Sequence, residues 1–148
     1  MFTPLDDRIM VSAQISIDDV ATAKAHGVGL IINNRPEDES ADQTPGQAIA
    51  AAAAAAGIAY VAIPVTHAGF SHAQVVAMDS ALAQAGDAPV LAYCRSGTRS
   101  TLLWALTMAA AGKMPSAEIA AKAAAAGYDV SPLRAQIDML HAQAGARE

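Results

Sequence analysis

The chain contains a single cysteine, and the residues after it have the types and the order that nucleophilic chemistry requires. Cys94 follows an apolar run, Ala88–Tyr93, that indicates a buried strand, and a short glycine-bearing turn separates it from a predicted helix. Backbone N–H groups at such a turn point toward one place beside the sulfur, where the helix dipole also favours negative charge. The sequence therefore predicts an anion-binding loop with Cys94 as its nucleophile. This cysteine loop consists of Cys94, Arg95, Ser96, Gly97, Thr98, Arg99 and Ser100.

Two arginines of the cysteine loop place positive charge beside the thiol. Arg95 and Arg99 both favour the thiolate, which is the reactive form of cysteine. Gly97 lets the backbone turn where a Cβ would obstruct it, and the hydroxyl of Ser100 is available to the sulfur or to a free helix amide. An inert buried thiol, the alternative, would leave both arginines without a role. We predict Cys94 and Arg99 as catalytic residues and Arg95, Ser96, Gly97, Thr98 and Ser100 as anion-binding residues.

Two further loops are predicted at the same edge of the sheet. The loop from Asn34 to Ser40 contains Arg35, which we expect to bind an anionic substrate. The loop from Thr66 to Phe70 contains no carboxylate, although an enzyme that releases an alcohol needs a group to protonate the leaving oxygen. A solvated acidic surface is the alternative interpretation of the carboxylates in the first loop. The candidate acids are His67, Asp38 and Glu39.

Strands that alternate with helices must position these three loops. Such alternation requires right-handed crossovers, and it places function at the carboxyl ends of the strands. We therefore predict a three-layer α/β fold in which a mainly parallel central sheet carries helices on both faces. The predicted strands are Arg8–Ser12, Val28–Asn33, Ile58–Val65 and Ala88–Tyr93. The predicted helices are Ser16–Gly27, Pro45–Ala56, Ser71–Gly86 and Ser100–Ala111 with Trp104 in the core, followed by two that begin at Ser116 and Ser131.

Composition limits the size of the core and the class of partner. The 148 residues are 53% apolar and 16% charged, which predicts one domain over residues 1–148. A net charge of −5 argues against a nucleic-acid or anionic-membrane surface, because both require a dense basic field. The uncharged stretch Ala48–Val65 contains Gly57 and Pro64, so it indicates a helix followed by a strand rather than a membrane span.

The remaining sequence signals concern location and cofactors. The first residues, Met1–Asp7, show neither a basic nor an apolar targeting region, so we expect a cytoplasmic protein. One cysteine cannot form an internal disulfide. The histidines have no ligand spacing, and no nucleotide-binding glycine motif follows a strand, so we expect neither a metal nor an organic cofactor.

The cysteine loop resembles the active-site loops of two enzyme classes. It is similar to the loop of rhodanese sulfurtransferases, and it is one residue shorter than the loop of protein tyrosine phosphatases. Four residues separate Cys94 from Arg99, and Tyr93 stands where phosphatases usually have histidine. The Asp-Val-Arg triplet typical of rhodaneses is replaced by Asn33-Asn34-Arg35-Pro36.

The combination of motifs is similar to one small bacterial family, the phosphatase-like domain of beta-lactamase-hydrolase-like proteins. The resemblance covers about residues 1–112 and leaves 113–148 as a helical C-terminal extension. It implies a tyrosine-phosphatase-like fold, and it implies a metallo-beta-lactamase-type hydrolase as a fused or separate partner. The motifs are Ser12-Ala13-Gln14-Ile15-Ser16, Asn34-Arg35-Pro36-Glu37-Asp38-Glu39, Ile63-Pro64-Val65 and the cysteine loop with Trp104.

The resemblance leaves the reaction open, since members of this family are described as phosphatases or as sulfurtransferases. A phosphoryl group needs a wide loop and a leaving-group acid, whereas a sulfane sulfur needs only a thiolate, N–H donors and positive charge. Because the loop is short and the acid unassigned, we predict a sulfurtransferase that forms a persulfide on Cys94. The alternatives are a phosphatase with a phosphocysteine intermediate and a non-catalytic anion-binding module. The expected partner is a small anionic substrate or a sulfane-sulfur donor.

Overall fold

The computed structural model describes residues 1–146 and shows a five-stranded sheet in that part of the chain. The strand order is β1-β2-β5-β3-β4, in which β1 is antiparallel to β2 and all other neighbours are parallel. The predicted mainly parallel sheet is therefore confirmed. The strands are β1 (Thr3–Pro4), β2 (Ile9–Ser12), β3 (Leu30–Asn33), β4 (Ala59–Ala62) and β5 (Val90–Tyr93).

Helices cover both faces of the sheet. Successive strand residues point to opposite faces, and apolar residues on both faces are buried beneath the helices. Ile31 faces the core formed with α1 and α2, whereas its neighbour Ile32 faces the core formed with α3 to α6. This arrangement confirms the three-layer α/β fold. The helices are α1 (Ile17–Ala25), α2 (Gly46–Ala55), α3 (His72–Ala85), α4 (Thr98–Ala111), α5 (Ser116–Ala125) and α6 (Arg134–Ala146), with a 3₁₀ turn at Ser131–Leu133.

The three central strands end at the same level of the sheet. Tyr93, the last residue of β5, pairs with Ser12 on one side and with Asn33 on the other. The backbone N–H of Cys94 then donates to the Ser12 carbonyl at 3.3 Å, and the N–H of Asn34 donates to the Tyr93 carbonyl at 2.8 Å. The loops that follow β3 and β5 therefore start side by side at one edge of the sheet.

The first residues of two helices, α4 and α5, differ from the predictions. Ser16 caps α1 as predicted, with a capping box to Asp19. By contrast, Ser116 is the first residue of α5, and Pro115 is the N-cap. Helix α4 begins at Thr98, two residues earlier than predicted, because Gly97 adopts a left-handed conformation (φ +91°) that lets the chain enter the helix at once.

The C-terminal helices pack into the core that covers α4. Ile119 and Ala123 of α5 and Ile137 of α6 are fully buried in the same cluster as Leu106. Within residues 1–146, no helix combines the length and apolar character that crossing a bilayer requires.

Trp104 is a core residue, as predicted, and its indole faces away from the cysteine loop. It is fully buried, and its Nε1–H donates to Asp6 Oδ2 at 3.2 Å. The other oxygen of Asp6 accepts from the backbone N–H groups of Arg8 and Ile9, both at 2.8 Å, at the amino end of β2. One carboxylate thus joins α4 to the start of the sheet at the edge opposite Cys94.

Replacing Asp6 by Ala is expected to destabilise the fold, because two backbone donors and the buried indole lose their acceptor. The expected loss in the free energy of unfolding is about 1–3 kcal/mol, measured by urea denaturation. Asp7→Ala is the matched control, since Asp7 is exposed, and it should change the value by less than about 0.5 kcal/mol. Equal effects of the two substitutions would contradict the proposed role of Asp6.

Candidate active site

Cys94 lies directly beneath the N-terminus of α4. It is the first residue after β5 and is fully buried, and its Sγ accepts a hydrogen bond from the backbone N–H of Gly97 at 3.1 Å. The helix then runs for 14 residues, so its first-turn amides and dipole lie close to the sulfur. The predicted strand, turn and helix are confirmed, and they place a backbone donor and the positive end of the helix dipole beside the sulfur.

The exposed side chains of the cysteine loop hold one another rather than the sulfur. The Ser96 hydroxyl donates to Thr98 Oγ1 at 3.0 Å and accepts from the Thr98 N–H at 3.4 Å. Arg95 is exposed beside them, and its carbonyl accepts from the N–H of Gln14 at 3.3 Å. The Gly97 N–H and the side chain of Arg99 interact with the sulfur instead.

Arg99 is clamped by a carboxylate of the neighbouring loop. Its Nη1 and Nη2 donate to the two oxygens of Glu39 at 2.7 and 2.8 Å, and Nη1 also donates to the Val65 carbonyl at 2.7 Å. Glu39 is bound in addition by Arg35, whose Nε lies 3.0 Å from Oε1. Glu39 therefore lies between two guanidinium groups, and Arg99 connects α4 to the loops that follow β3 and β4.

The charges of this cluster shift the pKa values of its members. The hydrogen bond from Arg99, together with Arg35, lowers the pKa of Glu39 from 4.5 to about 2, although partial burial opposes the shift. The hydrogen bond to Glu39 in turn raises the pKa of Arg99, and the charge of Cys94 adds to the rise. Both side chains are about five-sixths buried, at 16% and 17% exposed. Glu39 is consequently ionised at neutral pH.

Arg35 lies at the predicted edge of the sheet, but its side chain does not line the pocket. It is only 4% exposed, and besides Glu39 it donates to Gln14 Oε1 at 3.0 Å and to the Ser40 hydroxyl at 3.1 Å. We predicted a direct contact with substrate, whereas the structure shows a buried guanidinium that positions Glu39. The reason is that the loop after β3 turns back over the arginine.

Ser100 also differs from its prediction. It is fully buried, and its hydroxyl donates to Asn34 Oδ1 at 2.7 Å rather than to the sulfur. Asn34 Nδ2 donates onward to the Ile63 carbonyl at 2.9 Å. The Thr101 hydroxyl bonds back to the carbonyl of Gly97 at 2.9 Å. Ser100 therefore fixes the start of α4 against β3 and the end of β4.

Two of the three candidate acids, His67 and Glu39, border a small pocket beside the cysteine loop. The pocket has a volume of about 280 Å³ and is lined by Glu39, His67, Arg95 and Arg99. Asp38 is exposed outside this lining, at a positive φ of 64°, and its neighbour Glu39 is the carboxylate that reaches the site. Arg35 and Glu39 form an ion pair although their segment is a loop, so helical spacing gives no sequence signal for this contact.

Tyr93, which precedes the cysteine, belongs to the core on the other face of the sheet. It is fully buried in the cluster formed with α1 and α2, and burial raises the pKa of its phenol. The residue that stands where phosphatases usually have histidine is thus a neutral packing residue.

Three comparisons with known proteins agree with this geometry. Residues 2–111 match the family described as the phosphatase-like domain of beta-lactamase hydrolase-like protein. A beta-lactamase hydrolase-like protein of Xylella fastidiosa is 34% identical over 126 residues, which are 85% of this chain and 29% of that protein. The chain therefore spans less than a third of the length of this curated relative.

Solved structures share the fold over nearly the whole chain. The crystal structure of a candidate phosphatase from Neisseria meningitidis has a TM-score of 0.81 and 34% identity, covering 93% of this chain and 96% of its own. The structure of PTPMT1 in complex with PI(5)P has a TM-score of 0.77 at 17% identity, covering 99% of this chain and 97% of its own. The tyrosine-phosphatase-like fold is thereby confirmed.

The Glu39 clamp predicts a stability that depends on pH. Since the pKa of Glu39 is about 2 in the folded chain and 4.5 ordinarily, its contribution is complete above pH 4.5 and is lost as the pH falls toward 2. Glu39→Gln should reduce the free energy of unfolding by about 1–2 kcal/mol at pH 7, after allowance for solvent screening. The difference from the native chain should shrink at pH 3, as measured by urea denaturation.

Asp38→Asn is the control, because Asp38 is the adjacent exposed carboxylate and asparagine tolerates a positive φ. It should change the free energy of unfolding by less than about 0.5 kcal/mol at either pH. A Glu39→Gln chain as stable as the native one at pH 7 would contradict the role of the clamp.

Proposed function

This chain belongs to the family of phosphatase-like domains of beta-lactamase hydrolase-like proteins, and on that basis we propose that it is a cysteine-dependent phosphatase. The observation that carries the proposal is that the buried Cys94 sulfur lies beneath the start of α4 and beside Arg99, whose side chain lines the small pocket. This arrangement supplies a nucleophile, backbone N–H donors and a fixed positive charge for a phosphoryl group. The similarity to the Neisseria meningitidis candidate phosphatase supports the same reaction.

The proposal reverses the order of the reactions predicted from the sequence. The sequence alone favours a sulfurtransferase, because the cysteine loop is short and no carboxylate stands in the loop from Thr66 to Phe70. The similar structures described above favour the phosphatase, and His67 borders the pocket as a candidate acid. Because the pocket is small, we expect a small phosphate ester as the substrate.

In the proposed reaction, the Cys94 thiolate attacks the phosphorus in line with the leaving oxygen. A P–S bond forms as the P–O bond to the leaving group breaks, and that oxygen takes a proton from a general acid. Water then attacks the phosphocysteine and gives up a proton to the same group, and the P–S bond breaks. Inorganic phosphate leaves, and the thiolate is restored.

His67 is the better candidate for the proton donor. Glu39 is ionised at neutral pH, because the hydrogen bond from Arg99 holds its pKa near 2, so it has no proton to give. Asp38 does not line the pocket, whereas His67 is exposed at its rim. We therefore assign His67 to protonation, Arg99 and the loop amides to phosphoryl binding, and Arg95 to attraction of the anion.

A specific observation keeps sulfur transfer as the second candidate. The loop is one residue shorter than a tyrosine phosphatase loop, and its Gly97 N–H is already directed at the sulfur. A persulfide on Cys94 is stabilised by an N–H donor of this kind, and sulfur transfer needs no general acid. In this reaction the thiolate attacks the outer sulfur of thiosulfate, the S–S bond breaks, and sulfite leaves.

The proposed phosphatase should form a phosphocysteine on Cys94. Rapid acid quenching during turnover of p-nitrophenyl phosphate should leave a covalent phosphate on the peptide that contains Cys94, detected by mass spectrometry. Cys94→Ser should lower turnover to the background level, since the nucleophile is lost. The control is the native chain with thiosulfate, which should then show no stable added sulfur on Cys94.

Addition of one sulfur to Cys94 without phosphate turnover would instead select the sulfurtransferase. Absence of both adducts would select the non-catalytic anion-binding module.

The assignment of His67 predicts a dependence on the leaving group. His67→Gln should lower kcat on an alkyl phosphate by about 100-fold, because a poor leaving group needs the acid. The loss should be much smaller on p-nitrophenyl phosphate, whose leaving group needs little protonation. His72→Gln is the matched control, since His72 lies in the first turn of α3 and lines a different cavity. Equal losses on both substrates would show that His67 does not act as the acid.

A further inference from the structure

A residue of the C-terminal region contacts the cysteine loop. The hydroxyl of Tyr128 donates a hydrogen bond to the backbone carbonyl of Ser96 at 3.1 Å. The part of the chain that matches the family ends at residue 111, so this contact comes from outside it. The site therefore includes a side chain that the family match does not cover.

The contact bears on the backbone donor that serves the sulfur. The Ser96 carbonyl and the Gly97 N–H belong to one peptide unit, and in a trans peptide these groups point in opposite directions. The carbonyl is bound by Tyr128, while the N–H donates to Cys94 Sγ at 3.1 Å. Rotation of this unit would turn a carbonyl oxygen toward the sulfur and toward any bound anion. Glycine permits such rotation more readily than other residues.

The end of α5 fixes the position of Tyr128. Gly127 has a φ of +94° and donates to the Ala124 carbonyl at 3.0 Å, while the N–H of Tyr128 donates to the Ala123 carbonyl at 2.9 Å. These two bonds form a Schellman motif, which ends a helix in a defined direction. Ala123 is fully buried, so the motif is attached to the core. The backbone of Tyr128 is therefore fixed to the end of α5.

The approach between Tyr128 and the loop is close. A Cβ on Gly97 would collide with the Tyr128 hydroxyl and displace it, and the φ of +91° also favours glycine at this position. The Tyr128 ring is half-buried against the core. The Tyr128 hydroxyl thus occupies the space that a side chain at position 97 would take.

We propose that Tyr128 is a positioning residue that holds the Ser96–Gly97 peptide unit with its N–H toward Cys94 and so keeps the loop able to bind an oxyanion. Burial, and then the charge of Cys94, raise the pKa of Tyr128, so the phenol retains the proton that it donates. The inference deepens the proposed function and rests on it only where turnover is measured.

The test compares alkylation of Cys94 by iodoacetate and by iodoacetamide. The chain has one cysteine, so both rates report on this site alone. The anionic reagent benefits from N–H groups directed into the loop, whereas the neutral reagent benefits less. Tyr128→Phe keeps the ring and removes the hydrogen bond, and it should lower the iodoacetate-to-iodoacetamide rate ratio by roughly 3- to 10-fold. Protection of Cys94 by inorganic phosphate should need a correspondingly higher phosphate concentration.

Ser131→Ala is the matched control, because it removes a hydroxyl from the same segment. The Ser131 hydroxyl donates to Asp129 at 2.9 Å, which keeps this bond within its own turn. The ratio should stay at the native value in this variant, and thermal unfolding should show that all three chains are folded. An unchanged ratio in Tyr128→Phe, or an equal fall of both rates, would overturn the inference.

Measurement of p-nitrophenyl phosphate hydrolysis distinguishes failure of the positioning role of Tyr128 from failure of the proposed phosphatase activity. If the native chain hydrolyses p-nitrophenyl phosphate, Tyr128→Phe should lower kcat about as much as the alkylation ratio. A native chain without turnover whose alkylation ratio still depends on Tyr128 would refute the phosphatase and support the positioning role. An active native chain that is unaffected by Tyr128→Phe would refute the positioning role alone.

Discussion

Neutralisation of buried positive charge is the constraint on which the site depends. The Arg35 guanidinium is almost fully buried, and Arg99 lies close by at the positive end of α4. Unpaired charges in such surroundings would cost several kcal/mol. Glu39 bonds to both guanidinium groups, and the Val65 carbonyl accepts a further hydrogen from Arg99. The loops after β3 and β4 are thereby fastened to α4, and the pocket exists because these charges are balanced.

The same ion pair limits how an anion can bind. Glu39 occupies the outer edge of the Arg99 guanidinium with two hydrogen bonds, so an incoming oxyanion has to use other donors of the arginine and the backbone of the loop. The negative charge of Glu39 also opposes a second negative charge in the pocket. Arg95, which is exposed at the rim, offsets this repulsion. The site therefore favours a compact anion that meets the helix N-terminus directly, and this preference applies to a phosphoryl group and to thiosulfate alike.

Sequence reasoning succeeded where the relevant information is local. A strand, a glycine and a helix around Cys94 are short-range features, and the alternation of elements predicts which loops meet at one edge.

Prediction from the sequence failed where the position of a side chain depends on tertiary contacts. Asp38 and Glu39 are adjacent, and the positive φ of Asp38 helps to decide which of them enters the site. The burial of Arg35 depends on how its loop folds back, and strand β1 has only two residues. The contact of Tyr128 with Ser96 spans 32 residues, and no local pattern indicates it.

Because the Gly97 donor to the sulfur is a backbone group, the amino-acid sequence of the loop records the site only in part. Arg95, Ser96 and Thr98 expose their side chains, while the Gly97 N–H provides the hydrogen bond to the cysteine. Many residue types can present the same amide, so Ser96 and Thr98 are free to diverge without loss of the backbone donors, whereas Arg95 also supplies positive charge at the pocket rim. Divergence is restricted at Gly97, where the positive φ strains other residues and a Cβ would displace the Tyr128 hydroxyl. A search for relatives by residue identity in this loop will therefore undercount proteins that share its chemistry.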